Sequence, residues 1–294
     1  MPSLWPVIKV FLREASSRKV AFRVPEPDLI MEDAAQVAAF YEAGRENGVM
    51  APVYLFHAAQ VCEVVKPGDT VLDLGCGPAN QLGIIAQLNP DVHFIGVDLS
   101  EEMLAMAKRN LQARGITNVT LQHGDITDLN MFGAASVDGV MSTVVLHHLP
   151  NNAALFRCFE ELGRVLKPGG GLYLVDFGHL KTEKAIRYFA YQYEERQPML
   201  FTIDYLNSLR AAFELTTWRE GWYRYLKNFG KLFSTFVVPY MVVVKSPVRR
   251  PLTNDLLKKL NEAYLGMPSY HQADFKDLNV FFRIGGLRTP PIVK

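Results

Sequence analysis

The sequence has little of several features that define common protein classes. Its 294 residues include only three cysteines, Cys62, Cys76 and Cys158, whose spacing fits neither a disulfide framework nor a C-x-x-C zinc site. No apolar run reaches the roughly 18 residues of a membrane-spanning helix, and the longest candidate, 236–244, is interrupted by Pro239. These shortages predict a globular, cytoplasmic protein without an integral membrane segment.

An excess of charge of one sign is also missing. The 31 lysines and arginines nearly balance the 30 aspartates and glutamates, so the net charge of +1 gives no reason to expect a nucleic-acid partner. The balance hides an asymmetry, because residues 66–178 carry a net charge of −5 and residues 179–294 carry +8. The basic last third keeps RNA open as an alternative partner, and a steep salt dependence of binding would support it.

Short apolar runs alternate with helical patterns through the middle of the chain. The runs lie at 70–74, 92–97, 119–122, 137–143 and 172–177, and most are bounded by glycine or proline turns. Strands that are apolar on both faces and alternate with helices are typical of parallel sheets with right-handed crossovers. The pattern predicts a doubly wound α/β fold with a mostly parallel sheet.

Carboxylates stand at the carboxyl ends of the predicted strands, where such sheets bind ligands. Asp73, Asp98 and Asp125 occupy three of the first four strand ends. The turn Gly75-Cys-Gly77 needs positive φ, but the third glycine of a G-x-G-x-x-G dinucleotide fingerprint is missing. The set favours an adenosine ligand with an amino-acid end over a dinucleotide.

Five segments between residues 68 and 178 carry a more specific signal. They are V-L-D-L-G-C-G-P-A (71–79), I-G-V-D-L-S (95–100), H-G-D-I (123–126), V-D-G-V-M-S-T-V-V-L-H-H-L (137–149) and R-V-L-K-P-G-G (164–170). In order and spacing they resemble the class I S-adenosylmethionine-dependent methyltransferases of small-molecule type. The resemblance implies a Rossmann-like sheet of seven strands, with S-adenosyl-L-methionine as cofactor and S-adenosyl-L-homocysteine as product.

The resemblance also implies which residues hold the methionine portion of the cofactor. Gly75 and Gly77 let the backbone approach this portion closely, and Asp73 lies near its ammonium group. The backbone carbonyl of Thr143 is a further partner of the ammonium.

The nucleoside portion has its own implied residues. Asp98 accepts hydrogen bonds from both ribose hydroxyls, a task that suits the two oxygens of a carboxylate. Asp125 accepts from the adenine amino group, and Leu99 and Ile126 lie on either side of the ring.

Two adjacent histidines are the candidates for a catalytic role. Methyl transfer in line from a sulfonium rests largely on proximity and orientation, and a base is needed only if the acceptor loses a proton. His147 and His148 follow the fourth strand, where the family places residues facing the transferred methyl, and one of them can act as that base. The alternative is that the His-His-Leu-Pro run shapes the pocket floor and caps the next helix.

Aromatic side chains are dense between residues 188 and 240. They favour an acceptor pocket with apolar or aromatic walls, which would also suit a cationic amine. We expect transfer to an oxygen or nitrogen of a small molecule, aromatic and natural-product acceptors included. Two alternatives stay open: an RNA or protein methyltransferase that uses the basic last third, and a non-catalytic cofactor-binding subunit. Ser-Thr-Val-Val at 142–145 replaces the N-P-P-Y type motif of amino-group DNA methylation.

The segment before the first strand, residues 1–60, is predicted to be an N-terminal helical lid. It opens with a short amphipathic segment, which lies either on a membrane surface or, as we expect, on the parent domain. Helices are predicted at 32–41 and 53–65. Tyr41 and Arg45 are four positions apart, so one helix face could bring both to the cofactor carboxylate. Arg45 could equally be a surface charge.

The predicted methyltransferase core, residues 61–246, continues beyond the fifth strand. A helix is predicted at 206–213, a sixth strand at 214–219 and an antiparallel seventh at 235–245. Pro239 inside the seventh indicates a bulge or an edge position.

A C-terminal helical appendage is predicted over residues 247–294. It has a helix at 252–265 and a packed segment at 270–287. We expect it to cover the acceptor region or to form a homodimer contact, and the sequence leaves both open.

Overall fold

A seven-stranded sheet forms the centre of the computed structural model, which describes residues 4–18, 20–27, 33–45, 48–236 and 238–292. The strands are β1 (Thr70–Leu74), β2 (His93–Asp98), β3 (Val119–His123), β4 (Val137–Thr143), β5 (Leu166–Phe177), β6 (Lys231–Ser234) and β7 (Met241–Lys245). Their order across the sheet is β3-β2-β1-β4-β5-β7-β6. The strands β1 to β5 pair in parallel, and β7 runs antiparallel to both β5 and β6. The doubly wound, mostly parallel sheet is confirmed.

Helices cover both faces of the sheet. Within the described ranges they are α1 (Leu4–Ser16), α2 (Ala34–Ala43), α3 (Ala51–Cys62), α4 (Asn80–Leu88), α5 (Glu101–Ala113), α6 (Asn152–Val165), α7 (Glu183–Tyr191), α8 (Met199–Ala211), α9 (Leu215–Gly221), α10 (Asn254–Gly266) and α11 (Ser269–Ile284). Several begin at polar residues that cap the helix. Ser100 accepts from the backbone N–H of Met103, and Asn151 accepts from that of Ala154. No helix in the described part of the chain is both long and apolar enough to cross a membrane.

Two hydrophobic cores explain why the β strands read as continuous apolar runs. On one face, Phe94 of β2 joins a core with Phe56 of α3 and Phe275 of α11. On the other face, Phe159 of α6 packs on Trp218 of α9, with ring centroids 5.4 Å apart. Because each central strand contributes side chains to both cores, it needs apolar residues at consecutive positions.

The prediction of a strand at 214–219 is wrong. Leu215–Gly221 is the helix α9, and the sixth strand lies later, at Lys231–Ser234. The two threonines favoured a strand, but Leu215 and Trp218 are three positions apart and both join the second core. Packing of both side chains in this core decides the local structure, since propensity yields to burial.

The predicted seventh strand is shorter than expected. Only Met241–Lys245 is strand, and it lies between β5 and β6 rather than at an edge. Pro239 belongs to the preceding turn, where the Tyr240 N–H donates to the Val238 carbonyl at 2.7 Å. A residue without an N–H is excluded from the middle of a sheet, so the strand begins after the proline.

Two other elements begin earlier in the chain than the sequence predicted. The helix expected at 206–213 is α8, which begins seven residues earlier. The fifth strand begins at Leu166 and includes the glycine-rich segment expected to separate it from α6. A register shift between Val137 and Gly139 accommodates that segment next to β4.

The two ends of the chain pack on this domain. Helix α1 places Val10 and Phe11 against a small core around α7 and α8, as expected of a helix packed on its parent domain. Helix α2 begins at Ala34 with Asp33 as its cap, and Glu32, where the helix was predicted to start, lies outside the described residues. At the other end, Leu260 and Phe282 join the first core.

Candidate active site

A cavity of about 470 Å³ opens at the carboxyl ends of β1, β2 and β4. One half of it, here called the cofactor half, is formed by the turn after β1 and the ends of β2 and β3. The other half, here called the acceptor half, is bordered by the segment after β4, by α8 and by α11. The C-terminal helix α11 contributes Leu278 and Phe281, as a cover over the acceptor region would.

The turn after β1 brings backbone to the cavity wall. Gly75 and Gly77 have φ of +72° and +52°, a region that favours glycine. A Cβ at Gly75 would lie 2.2 Å from Cγ1 of Val145, so only hydrogen fits there. Val145 follows Val144, which itself has a φ of +57°. Strained backbone of this kind clusters at ligand sites.

Asp73 is a buried carboxylate that lacks a donor. It is 4% exposed, and its side chain accepts no hydrogen bond from any residue in the described ranges. Burial, with repulsion from Asp98 added, raises the pKa of Asp73 to about 8. A cation placed beside this group would remove the cost of its charge.

Asp98 is bound on one side and open on the other. Its Oδ2 accepts from the Gly77 N–H at 2.8 Å, and its Oδ1 accepts from the Ser100 N–H at 2.9 Å. Burial raises the pKa of Asp98, while these backbone donors act against the rise. Each carboxylate oxygen can accept a second bond, so the pair is suited to a diol.

The end of β3 supplies a third carboxylate and an apolar wall. Asp125 Oδ1 accepts from the Thr127 N–H at 2.7 Å and from the Thr127 hydroxyl at 2.8 Å, and Oδ2 accepts no hydrogen bond from the described residues. Leu99 and Ile126 both line the cavity beside it. Thr143, at the end of β4, also lines the cavity, and its hydroxyl donates to Gln81 Oε1 at 2.9 Å.

Tyr41 and Arg45 are not brought to the described cavity wall. Arg45 lies past the end of α2, is exposed, and pairs with Glu42 at 3.1 Å. The backbone carbonyl of Tyr41 accepts from Asn80 Nδ2 at 3.1 Å. Phe40 lines the cavity instead, one position earlier on the same helix.

A histidine–aspartate pair lies at the centre of the acceptor half. His147 Nδ1 is 2.8 Å from Asp176 Oδ1, and the backbone N–H of His147 donates to Asp176 Oδ2 at 2.8 Å. Both side chains are buried. Burial disfavours the imidazolium, but the attraction of Asp176, followed by that of Glu26 and Asp204, outweighs it and raises the pKa of His147.

Further ionisable groups surround this pair. Burial raises the pKa of Glu26 to about 7 and that of Asp204 to about 6. Burial, with the charge of His147 added, lowers the pKa of His148 well below its usual value. The imidazole rings of His147 and His148 are 4.3 Å apart.

Residues 20–27, here called the N-terminal strap, hold Glu26 against this cluster. Arg23 donates to the carbonyls of Leu149 at 2.6 Å and Ala211 at 2.6 Å, and its guanidinium lies 3.9 Å from the ring centroid of Phe213. The strap also pairs with the chain after β5, because the Ala21 carbonyl lies 2.7 Å from His179 Nε2. These contacts fix the strap over the segment that carries His147.

Aromatic rings wall the acceptor half, as the composition suggested. The rings that line it are Phe177, Phe189, Tyr193, Phe201, Tyr205 and Tyr240. Phe189 stacks on Tyr240 with centroids 4.3 Å apart, and the Tyr205 and Tyr240 hydroxyls contact each other. These rings give the space beside the histidines an apolar wall.

Comparison with known proteins decides the family. A family model described as a methyltransferase domain matches residues 65–230, which is more than half of the chain. The chain belongs to the class I S-adenosylmethionine-dependent methyltransferases.

The methyltransferase also resembles individual proteins. It is 38% identical over 113 residues to an arsenite methyltransferase of Halobacterium salinarum, a match that covers 38% of this chain and 28% of that protein. It is 40% identical over 107 residues to a demethylmenaquinone methyltransferase of Symbiobacterium thermophilum, covering 36% of this chain and 41% of that one. The matched segments therefore span less than half the length of either relative.

Solved structures support the fold assignment. A SAM-dependent methyltransferase from Aquifex aeolicus superposes with a TM-score of 0.51 and 17% identity, over 74% of this chain and 98% of that one. A putative methyltransferase from Methanococcus maripaludis gives 0.50 and 16%, over 79% and 100%. At this identity the likeness shows the shared fold.

S-adenosylmethionine is the cofactor of this family, and the cofactor half of this methyltransferase fits it. The donor-less Asp73 suits the ammonium, and the crowded Gly75 turn lets backbone approach the methionine chain. The two acceptor positions of Asp98 suit the ribose hydroxyls, and Asp125 suits the adenine amino group.

Two acidic residues around the methyltransferase cavity escaped sequence reasoning. Glu26 and Asp204 reach the acceptor half from outside the five motifs. Their types and spacing gave no signal, because each meets His147 only through the tertiary fold.

Proposed function

We propose that this methyltransferase moves a methyl group from S-adenosylmethionine to an oxygen or nitrogen of a small organic acceptor. The observation that carries the proposal is Asp73, a buried carboxylate without a donor beside a turn where only glycine fits. Burial of an unpaired carboxylate is costly, so a fold that maintains one in a cavity wall favours a cationic ligand. The methionine ammonium is such a cation.

Binding divides the cofactor between three groups of this chain. Asp73 holds the ammonium, Asp98 holds the ribose, and Asp125 with Leu99 and Ile126 holds the adenine. When bound, S-adenosylmethionine supplies a methyl group on a sulfonium, which is already a good leaving group. The chain contributes mainly proximity and orientation, for which effective molarities are large.

The acceptor half orients the second substrate. Phe177 and Tyr205 bound the space next to His147, with the Phe177 centroid 5.4 Å from each of the two other rings. An apolar acceptor would pack between such walls, and exclusion of water protects the methyl group from hydrolysis. His147 and His148 line this space, and their action on the acceptor stays a prediction.

The acceptor is proposed to be organic. The relatives named for arsenite and for demethylmenaquinone suggest very different acceptors, so the cavity must guide the choice. Of the three cysteines only Cys76 lines the cavity, and burial raises the pKa of its thiol well above the usual value. A soft metalloid acceptor would find no group of thiolates here, whereas an aromatic or polycyclic one would find apolar walls.

Calorimetry and product analysis test the proposal together. We expect S-adenosylmethionine and S-adenosylhomocysteine each to bind once per chain, and D98N to weaken both. D91N, a change at an exposed aspartate just before β2, is the matched control and should bind like the unaltered protein. A panel of phenols, quinols and amines, read by mass spectrometry, then identifies the methylated product. Absence of cofactor binding to the folded protein would refute the proposal.

A further inference from the structure

Two buried polar atoms of the acceptor half face each other without a hydrogen bond. His147 Nε2 and Glu26 Oε1 are 3.9 Å apart, and neither has a hydrogen-bond partner among the described residues. The side chains are only 2% and 5% exposed. This distance exceeds a hydrogen bond, and unsatisfied buried polar atoms cost free energy. Electrostatic attraction at this distance therefore still leaves both atoms without a hydrogen-bond partner.

A third ligating side chain lies at the same place. One ligand atom each of Glu26, His147 and His148 lie within 4.8 Å of one another. Around an ion with bonds of about 2.0–2.2 Å, neighbouring ligand atoms are roughly 3.0–3.6 Å apart. To reach that spacing the three atoms would have to move closer together by side-chain rotation.

The surroundings of His147 match those of a metal-binding histidine. Its Nδ1 is paired with Asp176 at 2.8 Å, so loss of the Nε2 proton to solvent would leave a neutral ring with its proton on Nδ1 and the Nε2 lone pair free for an ion. Ligating histidines commonly donate their second N–H to a carboxylate in this way. Arg23 also donates to the His147 carbonyl at 3.0 Å, so both the ring and the backbone are fixed.

We propose that Glu26, His147 and His148 bind one divalent transition-metal ion at the acceptor end of the cavity. Two imidazoles and one carboxylate suit Zn²⁺ or a similar first-row ion, whereas Mg²⁺ prefers oxygen ligands throughout. Such a three-ligand site leaves coordination positions open, and both histidines line the cavity where an acceptor would lie.

The role of this ion rests on the proposed function. An acceptor hydroxyl at an open coordination position would lose its proton to water at a lower pH. Its oxygen then forms the bond to the methyl carbon as the carbon–sulfur bond breaks, and that electron pair goes to sulfur. In this scheme His147 serves as a ligand and Asp176 as a positioning residue.

Zn²⁺ binding by the full chain tests the site without requiring an acceptor. After treatment with a chelator and dialysis, we expect one Zn²⁺ per chain in calorimetry and in metal analysis. E26Q and H148Q should each weaken binding by more than about 100-fold, and D176N by about 10–100-fold, as loss of an outer partner does. H93Q, a change at an exposed histidine at the start of β2, is the control and should bind normally.

Thermal melts keep the test interpretable, because the glutamine variants nearly preserve shape and should remain folded. Zn²⁺ binding that is absent, or equally tight in E26Q and H148Q, would overturn the site. Methylation that is unaffected by the chelator but lost in H147Q would overturn the role and leave His147 as a general base. S-adenosylmethionine binding, measured on the same samples, reports on the proposed function separately, since the metal ligands lie outside the cofactor half.

Discussion

The two halves of the cavity are built in opposite ways. The cofactor half comes from consecutive strand ends, and its backbone positions the carboxylates of Asp98 and Asp125. The acceptor half joins Glu26 from the strap, His147 from the segment after β4 and Asp204 from α8. The first half is a local property of short motifs, and the second exists only in the complete tertiary structure.

The halves also differ in how their charged groups are paired. Asp73 of the cofactor half has no partner among the described groups, so it is prepared for a cation that arrives with the ligand. Asp176 of the acceptor half already binds His147 at two atoms. We infer that the cofactor half selects its ligand by charge and the acceptor half arranges a reactive group. Variants in one half should therefore leave the function of the other intact.

The largest effect is expected from Asp98. D98A should weaken S-adenosylmethionine binding by several hundredfold, because two hydrogen bonds to a charged group are worth about 1.5–3 kcal/mol each. D204N, in the acceptor half, should bind the cofactor within about twofold of the unaltered protein by calorimetry. Equal losses in both variants would show that the halves are not separable.

The reverse experiment uses His147. H147Q should lower kcat about 100-fold, in line with the loss of acid–base or metal-ligand function, while the cofactor Kd changes little. Steady-state rates with the identified acceptor, set beside calorimetry, give this contrast. H93Q again serves as the control. A cofactor Kd that rises in parallel with the loss of rate would contradict the division.

Crowding at the β1 turn can be separated from backbone strain. G75A should lower the free energy of unfolding by about 2–4 kcal/mol, because its Cβ meets Val145 and its φ is left-handed. Gly68 has a φ of +82°, and a Cβ added there would meet no atom within 4 Å. G68A therefore introduces only backbone strain and should lower the free energy of unfolding by about 1 kcal/mol. Urea unfolding measures both. Equal costs would show that Val145 moves aside freely.

The smallest expected effect on cofactor binding is the pH dependence that Asp73 confers. Its pKa of about 8 in the folded chain lies above the unfolded value, so its ionisation destabilises the cofactor-free protein as pH rises toward 8. D73N should remove this loss, so at pH 8 the variant should unfold at a higher urea concentration than the unaltered protein. It should also bind the cofactor more weakly. In the unaltered protein, affinity for the cofactor should increase with pH, by up to tenfold per unit, until about pH 8, because Asp73 becomes ionised. D73N should remove this pH dependence.

The sequence predicted the cofactor half better than the acceptor half for a physical reason. Asp73, Asp98 and Asp125 each follow a buried strand, so their common edge follows from the parallel order alone. Their proposed roles still await the binding experiments. The apolar runs that flank them are set by two-sided burial, which leaves a strong pattern in the chain.

The acceptor half left no such pattern. His147 was visible as half of a histidine pair, but its partners depend on how β5 ends and on where the strap lies. The error at α9 has the same origin, because the burial of Trp218 depends on α6, a distant segment. Local spacing therefore predicts the structure of a single element when its pattern is strong. Contacts between distant elements decide which side chains meet and which are buried.

The N-terminal strap has a consequence for the order in which the protein matures during synthesis. Arg23 leaves the ribosome early, yet its hydrogen-bond acceptors include the carbonyls of Pro150 and Ala211. The strap therefore cannot form its final contacts until nearly two hundred further residues have been made. The groups around His147 can therefore come together only after residue 211 has been made, whereas Asp73, Asp98 and Asp125 of the cofactor half are made much earlier.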